Sequence, residues 1–116
     1  DRGLPLNLRS KYFDSQNGGW QVKDSLRALV SFRKLNLLEP FPHMAPIDIL
    51  FCRNVAIYFD KPKRDDLFRH FKKAMSRDAY LFVGASESLL DLGPAFKPHV
   101  HCRSTFYRPN LEPVLA

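Results

Sequence analysis

The chain has 116 residues, enough for one domain with a modest core and too few for two. A composition of 45% hydrophobic and 26% charged residues excludes a disordered segment, and no apolar run reaches the ~18 residues of a membrane-spanning helix. Eighteen Lys and Arg against twelve Asp and Glu give a net charge of +6, which favours acidic partners without specifying one.

Two cysteines, Cys52 and Cys102, fit a reduced, cytoplasmic protein better than a disulfide scaffold. The chain opens mid-pattern at Asp1, with neither methionine nor a signal peptide, and reads as a piece of a longer protein.

Residues 11–22, KYFDSQNGGWQV, carry aromatics on both sides of Asn17-Gly18-Gly19. Asn-Gly tolerates the positive φ angles of a tight turn, so this stretch predicts a β-hairpin. Asp24 is placed to cap a short helix with Leu26, Leu29 and Val30 on one face. Residues 31–35 look extended, with Asn36 and Leu37 at the end of that strand. FPHMAP, residues 41–46, is a proline-bounded loop.

Residues 47–52, IDILFC, are apolar on both faces but for Asp48, as a buried parallel strand should be. From Lys61 to Ser76 the period becomes helical. Leu67, Phe68, Phe71, Ala74 and Met75 form one stripe, with Lys63, Arg64, Arg69, Lys72 and Lys73 mostly off it. Asp60 suits the N-cap, Pro62 the first turn, and Asp65 and Asp66 the positive end of the helix dipole. Arg77-Asp78-Ala79 reads as a loop, and residues 80–84 as a second buried strand. Ser86 is placed to cap a short helix ending near Gly93. Residues 96–102 and 104–107 are placed to pair as an antiparallel hairpin, and residues 111–116 form a flexible tail. Strand, basic helix and strand make a βαβ unit with parallel strands. The fold class is α/β.

Ligands of open α/β sheets bind outside the carboxyl ends of the strands. Three such ends are polar or small here: Asn36-Leu37, Cys52-Arg53-Asn54 and Gly84-Ala85-Ser86-Glu87. Tyr58 follows in the next loop. Glycines stand only at 3, 18, 19, 84 and 93, so neither G-x-G-x-x-G nor a Walker loop is present. A cradle for a ligand's phosphate or sugar would lie in residues this chain lacks. Plainer readings stand beside these. Tyr58 could pack with its hydroxyl at the surface, Arg53 could be a solvated loop residue, and Asn36 a turn former. Cys52 reads as a small buried hydrophobe. His99, His101 and Cys102 have the side chains of metal ligands, but alternate on an exposed hairpin, so no metal site is assigned.

RGLP at 2–5, KYF at 11–13, GGW at 18–20, FRKLNLLEP at 32–40, DILFCRNVAIYFDKP at 48–62, YLFVGASESL at 80–89 and TFYRP at 105–109 resemble, in that order, the chemotaxis receptor methyltransferase (CheR) family. The resemblance implies a Rossmann-like S-adenosylmethionine-dependent methyltransferase fold, C-terminal portion only, closed by the antiparallel hairpin. It implies methyl transfer from S-adenosyl-L-methionine to glutamate side chains of chemoreceptors, leaving S-adenosyl-L-homocysteine: a protein-glutamate O-methyltransferase of chemotaxis adaptation. Residues 1–23 would be the short β-subdomain region and residues 24–110 the C-terminal part of the methyltransferase domain.

By the same resemblance, Asn36 and Leu37 lie beside the adenosyl group, Cys52 and Arg53 line the cofactor pocket, and Tyr58 is the catalytic aromatic near the transferred methyl. The implied partner is the acidic cytoplasmic region of chemoreceptors, with neither nucleic acid nor membrane insertion involved. The cofactor's glycine loop and ribose-binding acid would lie upstream, so the piece is expected to be inactive alone. Its exposed sheet edge invites self-association. Two positions depart from the family pattern: Ala85 stands where histidine is usual, and Arg77-Asp78-Ala79 replaces a Pro-Gly-Gly-like turn. The alternative to an enzyme is a non-enzymatic module whose basic surface docks an acidic protein.

Overall fold

The computed structural model describes residues 3–85, 87 and 92–111. The chain divides into two units, residues 1–34 and 35–116.

In the first unit, α1 (Leu6–Tyr12) leads into β1 (Phe13–Gln16), β2 (Gly19–Val22) and α2 (Asp24–Arg27). The predicted hairpin forms, with Phe13 opposite Val22 and Gln16 opposite Gly19. Its two turn residues, Asn17 and Gly18, take φ of 48° and 78°. That doubly left-handed turn matches the twist of the strands it joins. Asp24 is not the cap: Lys23 holds that position without a side-chain hydrogen bond, and α2 stops at Arg27. One uncapped turn cannot propagate, so Leu29 and Val30 remain exposed. Among the described residues of this unit none is buried. Residues 31–35 form no strand, since an extended segment becomes one only through a paired neighbour.

In the second unit, β3 (Ile47–Cys52), α3 (Lys61–Ala74), β4 (Met75–Val83), β5 (Phe96–His101) and β6 (Ser104–Pro109) build one sheet and its crossover helix. The strand order is β3-β4-β6-β5. β3 and β4 are parallel, as predicted, and the other pairings are antiparallel. Asp60 caps α3, its Oδ1 accepting from the Lys63 N–H at 3.1 Å, with Pro62 in the first turn. Asp65 and Asp66 do not sit in that first turn. They pair within the helix, Asp65 with Lys61 at 3.1 Å and Asp66 with Arg69.

The helix ends at Ala74 and not at Ser76, because Met75 already takes an extended conformation (φ −99°, ψ 150°) and opens β4. Arg77-Asp78-Ala79 therefore lies within a strand. The pairing shifts register there, Ile47 facing Met75 and Ile49 facing Tyr80. The C-terminal hairpin pairs Phe96 with Pro109 and His101 with Ser104, and turns on Cys102 and Arg103 at φ of 50° and 63°. Pro98 sits on the edge strand β5, where a proline can avoid breaking the ladder. The expected helix from Ser86 to Gly93 falls largely outside the described residues, as does the tail beyond Leu111.

The core lies on one face of this sheet. Leu67, Phe68 and Phe71 of α3 pack with Ala79, Leu81, Phe96 and Tyr107. Phe68 meets Phe71 edge-on at 5.5 Å and Phe96 at 6.0 Å. The opposite face is open, which corrects the expectation that β3 is buried on both sides: Ile49 and Phe51 are 56% and 69% exposed. Their apolar character suits a covered strand, but among the described residues of this unit α3 is the α-helix that packs on the sheet, and β3 pairs with β4 alone.

Candidate functional site

Parallel pairing brings the carboxyl ends of β3 and β4 to the same edge, where Cys52 faces Val83. Beyond Cys52 the backbone turns through Asn54, at φ 63°, into a 3₁₀ turn over Ala56–Tyr58. Three successive N–H groups at this corner point to one carboxylate. Glu87 Oε2 accepts from Val55 at 3.3 Å and from Ala56 at 2.7 Å, and Oε1 accepts from Asn54. The Gly84 N–H adds a fourth bond to Oε1 at 3.0 Å.

Glu87 is fully buried. All four partners are donors, an arrangement that suits an ionised, acceptor-only carboxylate. The same contacts satisfy the amides left free at the start of the 3₁₀ turn. Gly84 is required by space: a Cβ there would lie 2.8 Å from Asn54 Oδ1 and 2.9 Å from Glu87 Oε1. One buried side chain thus ties both strand ends together.

Cys52 is buried beside this cluster. Burial, and then the negative charge of Glu87, push its thiol up to about 11, against a smaller lowering by a backbone hydrogen bond with Ala56. At neutral pH it is a protonated, apolar wall and not a nucleophile.

Leu37, Cys52 and Arg53 line one open groove of about 320 Å³, with Phe41, Ile47 and Val55 among its walls. An apolar lining with one exposed guanidinium suits a ligand that joins an apolar part to an anionic group. Asn36 and Tyr58 do not line it. Asn36 folds back on its own turn, Oδ1 accepting from the Leu38 N–H at 3.0 Å and its carbonyl from Glu39 at 3.2 Å. Tyr58 closes the 3₁₀ turn and is 79% exposed.

Glu87 is the site residue that sequence reasoning left without a role. Part of its signal was present: an acidic residue three positions after Gly84, the glycine that follows β4. Among the described residues no three His, Cys, Asp or Glu side chains gather as metal ligands. His99 instead stacks on Phe106, with ring centroids 5.5 Å apart and planes 12° from parallel.

Residues 2–104 match the family described as CheR methyltransferase, SAM binding domain. The chain belongs to this family. Its CheR relatives include the chemotaxis protein methyltransferase of Borreliella burgdorferi, 43% identical over 88 residues that cover 74% of this chain and 31% of the relative. Chemotaxis protein methyltransferase 1 of Pseudomonas aeruginosa is 40% identical over 92 residues, covering 78% of this chain and 34% of the relative. The probable biofilm formation methyltransferase WspC of the same organism is 36% identical over 91 residues, 77% of this chain and 22% of that protein. The chain spans about a third of the length of the first two relatives. S-adenosylmethionine is the cofactor of the CheR family. The mixed sheet, crossover helix and antiparallel hairpin are consistent with a portion of its methyltransferase fold.

Proposed function

We propose that this chain is the C-terminal part of a protein-glutamate O-methyltransferase that modifies the acidic cytoplasmic region of chemoreceptors. One observation carries the reading: Leu37, Cys52 and Arg53 share a groove at the carboxyl end of a parallel strand in a CheR-family chain. The same reading makes residues 24–110 the C-terminal part of the methyltransferase domain and residues 1–23 its β-subdomain region, in a cytoplasmic protein.

S-adenosylmethionine would supply an electrophilic methyl group on a sulfonium. A substrate glutamate is ionised at neutral pH and needs no strong base. The protein's task is then to align the carboxylate with the methyl and to keep water out. In this reading Arg53 holds a carboxylate through its planar pair of donors. Leu37 and Cys52 give the cofactor an apolar wall, with Asn36 shaping the turn beside them. Tyr58, exposed on its 3₁₀ turn, offers a ring face to positive charge near the transferred methyl. Exposed Lys63, Arg69 and Lys73 on α3 favour approach of an acidic receptor surface. The free edge of β3 is a route to self-association.

The test is calorimetric titration of S-adenosylhomocysteine into the 116-residue chain and into a form extended upstream in its gene. Binding by the longer form, lost on Arg53→Ala, is the expected result; the shorter form is expected to bind weakly or not at all. No binding by either form overturns the enzymatic reading in favour of an interaction module.

A further inference from the structure

Behind the apolar wall of the groove, and outside its lining, lies the buried Glu87 carboxylate. We infer that the buried Glu87 carboxylate is a specificity-determining group, favouring a ligand that is positively charged at its reacting atom over the neutral product that remains after transfer. The inference rests on the reading of this groove as the cofactor site, and names the electrostatic basis on which sulfonium and thioether are told apart.

Four backbone N–H groups satisfy Glu87, and amides bring dipoles without net charge, so none of these bonded partners neutralises the carboxylate. The groove lining feels that charge at two residues. Val55 lines the groove and donates its own N–H to Oε2. Cys52 lines it too, and its thiol is held protonated in part by Glu87. A fully buried charge acts through protein and not through water, and salt screens it little.

The charged residue of the lining itself, Arg53, is exposed, and water weakens its reach. The two charges therefore divide the ligand between them. An exposed cation suits the carboxylate of an amino-acid moiety, and an anion behind the apolar wall suits a cationic sulfur. Once the methyl has left, the sulfur is neutral and that second attraction is gone. Substrate cofactor gains from Glu87, and spent cofactor does not.

The test compares dissociation constants of S-adenosylmethionine and S-adenosylhomocysteine, in the form of the protein that binds the latter in the titration above. Glu87→Gln keeps the side-chain shape and removes the charge. It is expected to weaken S-adenosylmethionine about tenfold relative to S-adenosylhomocysteine, the scale of one charge pair about 12 Å apart at an effective dielectric of about 20. Glu87→Asp keeps the charge and is expected to leave the ratio near that of the wild type, even if both ligands bind less well. A tether with no electrostatic role would weaken both ligands equally in the Gln variant, so an unchanged ratio overturns the inference and leaves the proposed function standing. Wild-type protein that binds neither ligand overturns both.

If Glu87→Gln does not fold, the wild-type protein answers with an analogue carrying a tertiary amine in place of the sulfonium. A negative charge behind the wall raises the pKa of the bound amine, so affinity should fall as pH rises through the pKa of the free amine. Affinity that rises with pH there overturns the inference.

Discussion

Residues 1–34 and residues 35–116 reach regular structure by different means. The first unit has a hairpin and two short helices, yet none of its described residues is buried. Its order comes from local chemistry: the Asn17-Gly18 turn, and the Arg9 guanidinium 4.7 Å above the Trp20 ring. An isolated two-stranded hairpin is marginal in water. The second unit places a helix against a four-stranded sheet, with Phe68, Leu67 and Leu81 wholly buried. Turn residues choose a local shape, and burial makes a shape cooperative.

The sharpest break in that comparison is Phe68→Ala. It removes a ring enclosed by Phe71 and Phe96 and should cost about 3–5 kcal/mol, read as loss of the denaturant-unfolding midpoint of the second unit. Gly84→Ala comes next. The new methyl collides with Asn54 and Glu87, and overpacking of this kind costs about 1–3 kcal/mol. A stability equal to wild type would mean that the strand ends are not locked together.

The third prediction concerns pH. The Cys52 thiol is raised from 9.0 to about 11 in the fold, so the unfolded chain gives up its proton first. The thiol therefore favours the folded state fully below about 9, and that contribution is lost as pH rises towards 11. Burial raises the Tyr107 hydroxyl in the same sense. Denaturant titrations across this range should show falling stability, with a shallower fall in Cys52→Ala. At pH 8 a thiol reagent should modify exposed Cys102 and spare Cys52.

Asp60→Ala removes the cap of α3 and should cost about 1 kcal/mol, measured by thermal unfolding. The smallest effect belongs to the first unit. Arg9→Ala loses a stacking cation worth about 0.5–1 kcal/mol, visible as faster amide exchange in β1 and β2 and not as a change in the unfolding of the second unit.

Much of the second unit was legible because its signals are local or periodic. The apolar run ending at Cys52, the helical stripe through Leu67, Phe68 and Phe71, and the Asp60 cap each stand in a few neighbouring residues. Boundaries were less legible. Arg77-Asp78-Ala79 looks like a loop by composition, yet the register shift against β3 absorbs it into β4. Residues 31–35 have the composition of a strand and no partner. Of the candidate site, Leu37, Cys52 and Arg53 were legible as strand-end residues and do share a groove. Asn36 and Tyr58 stand outside its lining, because one serves its own turn and the other points from an exposed 3₁₀ corner.

By itself the sequence determined the α/β class, both hairpins, the crossover helix and the family, since each rests on residue order and spacing. Only the tertiary structure decided which face of the sheet is covered and which strand ends meet. It alone placed Glu87, whose bonds to Asn54 and Ala56 span more than thirty residues of chain. The spacing of glycine and glutamate encodes only the local Gly84 bond; the amides of Asn54, Val55 and Ala56 are brought to the carboxylate by parallel pairing. Those contacts exist only after β3 and β4 have come together.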